Sequence, residues 1–351
     1  MVLVLILAAA ILALGWWKGV SVRAQGTALV LLFAPVLLIQ ATLPAGHGLR
    51  EATGGSLSSW LIFLAGAGLV WGYTFMLRQI KRRVRPAAVQ STGSGFSESE
   101  LTRYARHIVL REIGGAGQQR LKAAKVLVIG AGGLGSPALL YLAAAGVGTI
   151  GVIDDDAVSL SNLQRQILHN DGRIDMPKVF SAQIGLNAIN PHVNVQPFHR
   201  RLTDENALDL FAGFDLVLDG SDSFDTRYLV NRSCVALGIP LIAAAISQWE
   251  GQISLYHPAK GTPCYACIFP KAPAAGLAPS CAEAGVMGAL PGVLGAMMAG
   301  EAIKHITGAG QTLLGAMVIY DGLFGESRKM KLARLESCPV CGDAQTDSAT
   351  V

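Results

Sequence analysis

Acidic side chains are almost missing from the first 85 residues: Glu51 is the only one, against eight Lys/Arg. The other 266 residues hold 20 basic and 23 acidic side chains. The net charge of +4 therefore arises at the N-terminal end, and the rest of the chain is mildly acidic. That lacks the basic surface a nucleic-acid binder needs, and no nucleic-acid partner is expected. The N-terminus has no charged n-region and no clear A-x-A site, which disfavours a cleaved signal peptide. No internal repeat is visible.

In place of charge stand long apolar runs. A hydrophobic content of 51% and a mean hydropathy of +0.43 are high for a soluble enzyme, and the excess is local. Three stretches carry it: 2–17, 24–45 and 57–77. The last two, at about 20 residues, are long enough to cross a hydrocarbon core of about 30 Å as helix. Trp16, Trp17, Trp60, Trp71 and Tyr73 lie near their ends, where amphipathic rings favour the membrane interface. Lys18 and Arg23 fall between the first two stretches, and "RQIKRRVR" (Arg78–Arg85) follows the third. The positive-inside rule then predicts a multi-pass segment in the cytoplasmic membrane. Its three spans leave the N-terminus outside and everything after Arg78 in the cytoplasm.

"PAAVQSTGSGFSESE" (Pro86–Glu100) is rich in Pro, Gly and Ser and predicts a linker over 86–97, followed by one domain over 98–343 and a tail over 344–351. Ser97 and Glu100 form a capping box for a helix expected over 98–112. Short apolar strands then alternate with helices: strands 126–130, 149–154, 193–198, 215–219 and 240–244, with helices from 135, over 178–190 and over 224–238. That alternation predicts an α/β fold with a Rossmann-like, mostly parallel sheet. Later strands at 252–257, 316–320 and 329–335, with a helix over 286–306, predict an antiparallel extension of it.

"VLVIGAGGLGS" (Val126–Ser136) joins a strand, a glycine turn and a helix start. Gly130, Gly132 and Gly135 fit G-x-G-x-x-G, with Asp154 placed to hold a ribose. The turn alone says only that a phosphate meets backbone N–H groups at a helix N-terminus. Its surroundings choose the nucleotide. "IDDDAVSLSNLQRQ" (Ile153–Gln166) brings Ser161, Asn162, Gln164 and Arg165 past a strand end, and Lys178 opens the next helix. A nicotinamide pyrophosphate needs no such set of cations. A triphosphate losing pyrophosphate does, because charge grows on the leaving group. Asp222 in "LVLDGSDSFDTR" (Leu216–Arg227) follows a buried strand, at the edge where open α/β sheets bind ligands. It is a candidate Mg²⁺ ligand, and alternatively a cap for the helix from Phe224.

The six cysteines are Cys234, Cys264, Cys267, Cys281, Cys338 and Cys341. "CYAC" and "CPVC" each offer two thiolates to one ion, and together they predict a closed structural Zn²⁺ site. Cys234 reads as core. Cys281, in "APSCAEAGV", is a candidate nucleophile toward an activated acyl group, although no His neighbours it in sequence. Arg106, in "LTRYARHIVLREIG" (Leu101–Gly114), reads by itself as a surface charge.

"RYARHIVL", "VLVIGAGGLGSP", "DDDAVSLSNLQRQ", "MPK", "INPHV", "DLVLDGSDSFDTR", "WEGQISLY", "PCYAC", "CAEAGV" and "CPVCG", in this order over about 97–343, resemble the MoeB/ThiF family of ubiquitin-activating-enzyme-like adenylyltransferases. The resemblance implies ATP- and Mg²⁺-dependent adenylation of the C-terminal glycine of a ubiquitin-like sulfur carrier ending in Gly-Gly. A MoaD-like carrier for molybdopterin synthesis is the first reading. A thiamin carrier (ThiS) or another carboxylate is the second, and an NAD-linked membrane oxidoreductase the remote one. The resemblance further implies nucleotide contacts from Gly133, Asp154, Ser161, Asn162, Leu163, Gln164, Arg165 and Lys178, catalytic roles for Asp222, Arg106, Arg165 and Lys178, and the paired cysteines as zinc ligands. Arg106 would reach into a partner subunit's site, which implies a homodimer with shared active sites. Ser223 stands where the family usually has Asn, and the apolar N-terminal segment lies outside the resemblance. With no sulfurtransferase domain after Cys341, a separate sulfur donor is expected.

Overall fold

The computed structural model describes residues 2–18, 22–44, 46–54, 56–83, 95–273 and 281–342. The expected linker falls mostly, and the tail wholly, outside the described residues. The chain divides into two compact units, residues 1–91 and 92–351.

The first unit contains α1 (Val2–Trp17), α2 (Val22–Thr42), the short α3 (Gly48–Thr53) and α4 (Leu57–Arg83). Its interior is small: Val4, Val36 and Trp60, with Leu5, Leu32, Phe33 and Leu37 packed around them. Trp60 is fully buried, and its Nε1 donates to the Gly54 carbonyl at 2.9 Å. It is therefore an internal anchor rather than the interfacial ring expected from its place near a span end. The loop after α2 closes on itself. Gln40 donates to the Arg50 carbonyl (3.0 Å) and to Thr53 (2.9 Å), while Arg50 donates to the Leu43 carbonyl (2.8 Å). These bonds satisfy polar groups that an apolar surround would leave unpaired.

Two stretches, 24–42 and 48–70, are long and apolar enough to cross a membrane, and only 11% and 6% of them is buried within the unit. At 16 residues α1 extends about 24 Å, short of a hydrocarbon core of about 30 Å. The first expected span therefore fails the length test that the other two meet.

The second unit is built on one eight-stranded sheet. Its strands are β1 (Lys125–Ile129), β2 (Thr149–Ile153), β3 (Asn194–Phe198), β4 (Leu216–Asp219), β5 (Leu241–Ser247), β6 (Glu250–Tyr256), β7 (Ala316–Asp321) and β8 (Glu326–Lys331). The order is β3-β2-β1-β4-β5-β6-β7-β8. The first five strands are parallel and the last three antiparallel, as expected. Its helices are α5 (Glu98–Ile108), α6 (Gly114–Ala123), α7 (Gly135–Ala145), α8 (Lys178–Ile189), α9 (Asp204–Phe211), α10 (Phe224–Leu237), α11 (Tyr265–Ile268), α12 (Cys281–Ala284) and α13 (Leu290–Thr307).

The parallel strands read as continuous apolar runs because both faces are covered. Val126 and Val128 of β1 join one core with residues of α7, α8 and α13, while Leu127 and Ile129 join the other with residues of α9 and α10. Three boundaries of this unit differ from expectation by four residues, the others by fewer. The helix expected to reach Glu112 stops at Ile108, the chain turns, and α6 begins at Gly114 with φ +61°. Glycine lowers helix propensity, which hid α6 in "GGAGQQ". The last strand lies at 326–331 rather than 329–335. Asp321 Oδ1 accepts from the N–H groups of Leu323 (2.9 Å) and Phe324 (3.1 Å), closing a tight turn that pairs Asp321 with Glu326. The final helix starts at Leu290, four residues later than expected, because a turn bonding Leu290 N–H to Met287 precedes it.

A chain beginning at residue 95 is expected to fold by itself and to partition into the soluble fraction. The full chain should stay with membranes through alkaline carbonate extraction. Soluble full-length protein would overturn the reading of the apolar stretches.

Candidate active site

The strand order reverses between β1 and β4, since β1 continues to β2 on one side and β4 to β5 on the other. In open α/β sheets the crevice at such a point, beyond the carboxyl ends of the strands, is where ligands bind. A cavity of about 940 Å³ opens there. Gly130 and Gly220 directly follow the two strands, with Gly130 at φ +89°. A Cβ at Gly135 would lie 1.9 Å from the Gly130 carbonyl oxygen, so only glycine lets α7 start this close to the turn.

Gly133, Asp154, Arg165, Lys178, Asp222 and Ser223, each singled out in the sequence, all line this cavity. Asp154 accepts hydrogen bonds from the N–H groups of Ala131 (2.8 Å) and Asp156 (2.8 Å). Burial raises its pKa, and Lys178 with those two N–H groups opposes the rise. The Lys178 side chain is only 5% exposed, and its Nζ lies 2.6 Å from Asp156. A buried ammonium needs such a partner, and an anionic ligand would supply a second. Ser223, not Asp222, caps α10: its side chain accepts from Thr226 N–H, which leaves the exposed Asp222 carboxylate at the cavity.

Ser161, Asn162, Leu163 and Gln164 are not among the lining residues. Two of them act on Arg165 instead, which donates to Asn162 Oδ1 (2.7 Å) and to the Ser161 carbonyl (3.4 Å). Gln164 packs on Gly288, where a Cβ would lie 2.4 Å from its Oε1. Arg106 is exposed on α5 and lines a separate hollow of about 220 Å³ with Tyr104, His107 and Tyr141. Cys281 opens α12, and its side chain lies outside the described residues. Cys234 is buried core, as expected.

Sequence reasoning missed Arg200 and Arg201, which reach the cavity from just beyond β3. The rule that found Asp222 past β4 would have found them in "HRR". It also missed Gln166, which is buried in the wall with no partner for Oε1.

The paired cysteines do come together. Cys264 and Cys267 sit at α11, Cys338 and Cys341 on the last described turn, and all four sulfurs lie within 4.8 Å of one another. The separations are 3.9 Å (Cys264–Cys267), 3.6 Å (Cys264–Cys338) and 3.4 Å (Cys267–Cys341). Four sulfurs 2.3 Å from a tetrahedral ion stand about 3.8 Å apart, so the donor set fits zinc. Burial pushes Cys264 far up and Cys341 to about 11. Burial also acts on Cys338, but N–H bonds from Cys341 and Val340 outweigh it and bring that thiol down to about 7. A cation is what would let the whole set ionise. The carboxylates of Asp154, Asp155 and Asp156 form the other close group of potential metal ligands among the described residues.

Fold and site define a class: a doubly wound α/β protein with a nucleotide-type anion cradle at its switch point. The model of the ThiF family matches residues 104–340, and the chain belongs to that family and is an adenylyltransferase. It is 48% identical over 260 residues to the sulfur carrier protein adenylyltransferase of Thermus thermophilus, covering 73% of this chain and 96% of that protein. It is 45% identical over 250 residues to the SAMP-activating enzyme E1 of Haloferax volcanii, covering 71% and 92%. Among solved structures, E. coli MccB with ATP aligns at a TM-score of 0.57 and 25% identity, over 65% of this chain and 70% of that one.

Metal analysis of folded protein should find about one zinc per chain. Cys264→Ser should lower thermal stability by several degrees and release the metal, because structural zinc contributes folding energy. Folded protein free of zinc would refute the assignment.

Proposed function

We propose that this chain uses ATP to adenylate the C-terminal glycine carboxylate of a ubiquitin-like sulfur carrier ending in Gly-Gly. The observation that carries the reading is one cavity that joins a glycine turn, two cations (Arg165 and Lys178) and the Asp222 carboxylate at a sheet switch point. In the proposed reaction a carrier carboxylate oxygen attacks the α-phosphorus. The bond from that phosphorus to the bridging oxygen of pyrophosphate breaks, leaving an acyl adenylate and free pyrophosphate. Gly133 and its neighbours offer N–H groups at the start of α7. Arg165, held by Asn162, and Lys178, buried beside Asp156, offset the charge growing on the leaving group. Asp154 is placed for the ribose hydroxyls. Asp222 would hold Mg²⁺, whose chemistry is to neutralise phosphate oxygens. The catalytic contribution is positioning and charge neutralisation.

The carrier we favour is MoaD-like, which assigns the enzyme to molybdopterin synthesis, with the sulfur donor a separate protein. The names of the two relatives support carrier activation in general. The four cysteines are assigned to structural zinc. Attachment to the cytoplasmic membrane through the N-terminal unit rests on the exposed apolar side chains of 24–42 and 48–70, and the cytoplasmic placement of the catalytic unit on the basic run 78–85.

Exchange of labelled pyrophosphate into ATP should depend on a MoaD-like carrier and be weak with a ThiS-like one. Asp222→Asn should cut it at least about 100-fold, as loss of a residue acting only in the transition state does. Equal exchange with both carriers, or none with either, would reject the carrier assignment.

We further propose a homodimer in which Arg106, free at the surface of its own subunit, completes the partner's site. Arg106→Ala and Asp222→Asn homodimers should each be inactive. A mixed dimer carries both lesions in one site and neither in the other, so co-expression should restore at most about half of the parent exchange per dimer. If mixed dimers form and stay inactive, Arg106 does not act across subunits.

A further inference from the structure

His169 is buried (6% exposed), follows Arg165 by four residues and does not line the cavity. Both of its ring nitrogens are engaged. Nε2 lies 2.8 Å from the Ala131 carbonyl oxygen, and Nδ1 lies 2.8 Å from Ser181 Oγ. Arg173 completes the chain: its Nη1 donates to Ser181 Oγ (3.2 Å) and to the Ser181 carbonyl (2.5 Å).

The Ala131 end of this chain fixes one hydrogen, and a neutral ring fixes the others. A guanidinium only donates and a carbonyl oxygen only accepts. The imidazole therefore carries a proton on Nε2, pointing at Ala131, and in the neutral ring Nδ1 accepts the hydrogen of Ser181 Oγ, which itself accepts from Arg173. Burial, Lys178 and Arg173 hold His169 below its ordinary pKa, in keeping with this neutral form, while the Ala131 bond opposes them.

Ala131 lies inside the glycine turn between Gly130 and Gly132. Its N–H is taken by Asp154 (2.8 Å) and its C=O by His169, with Ser136 Oγ a more distant donor at 3.4 Å. A trans peptide points its C=O and the next N–H in opposite directions. Drawing the Ala131 carbonyl toward the interior therefore turns the Gly132 N–H away from it, on a residue that lines the cavity.

We propose that His169 is a positioning residue for the nucleotide. By holding the Ala131–Gly132 peptide through the Arg173–Ser181 relay, it keeps the turn in the orientation that receives phosphate. The proposal rests on the nucleotide reading of the cavity.

The test uses the full chain. Steady-state exchange gives KM values for ATP and carrier, direct titration gives ATP affinity, and ¹⁵N-detected spectra of the His169 ring give its tautomer. His169→Phe, which keeps a planar ring without donors, should weaken ATP binding about tenfold and leave the carrier KM unchanged. His169→Gln, which retains an N–H donor, should recover most of that loss. Ser181→Ala removes the hydroxyl that fixes the tautomer. It should weaken ATP binding severalfold, and it keeps the question open to measurement if His169→Phe does not fold. The parent spectrum should show the Nε2–H form. ATP affinity within twofold of the parent in Ser181→Ala and in a folded His169→Phe, or an Nδ1–H tautomer in the parent, would overturn the proposal. A parent chain that does not bind ATP would overturn the nucleotide reading, and this proposal with it.

Discussion

The contact between the start of α7 and the turn before it governs the catalytic unit. With no room for a Cβ at Gly135 beside the Gly130 carbonyl, the helix axis runs straight out of the β1 turn. Its unpaired N–H groups then face the crevice between β1 and β4. Everything placed around the cavity takes its position from that edge. Asp154 follows β2, Arg200 and Arg201 follow β3, and Asp222 follows β4. Parallel strands bring these residues together from sequence separations of nearly 70 positions, because all their carboxyl ends meet at one side of the sheet.

The legible part of the sequence is what this sheet makes periodic. β1, β2, β4 and β5 are buried on both faces, so each stands out as an unbroken apolar run, and their parallel pairing followed from alternation with helices. The illegible parts have physical reasons. α6 is carried by tertiary contacts: its Gln118 is fully buried and donates to the Ala145 carbonyl at 2.7 Å, which no propensity scale registers. α9 did leave a signal, the Thr203–Asn206 capping box before Ala207, Leu210 and Phe211, and it went unread. β8 is exposed along its whole length, so it has no apolar alternation and its register is set by the Asp321 turn. The site divides in the same way. Asp154 and Asp222, just past strand ends, were legible, whereas Arg200 and Arg201 in the same kind of position went unread, and Asn162 and Ser161 steady Arg165 from outside the cavity lining. That distinction depends on side-chain direction, which spacing does not encode.

The cysteine cluster and the switch-point cavity are joined by α10. Its first turn carries Ser223 as cap, with Asp222 immediately before it. Two turns further on, Asn231 is buried and holds the first cysteine pair from both sides. Its Oδ1 accepts from Tyr265 N–H (2.9 Å), and its Nδ2 points at Cys264 Sγ (3.6 Å). Tyr228, on the turn between, donates to the Phe269 carbonyl (2.8 Å), and Phe269 itself lines the cavity. Four sulfurs in one buried cluster cannot all ionise without a cation, so an unmetallated cluster would have to keep protons or separate. Separation would release the C-terminal turn bearing Cys338 and Cys341 and loosen α11 against α10. A metal with four filled positions has no place for substrate. A metal held there would bear on the chemistry proposed for Asp222, because the helix it would brace through Asn231 begins directly after that residue and its neighbour Ser223.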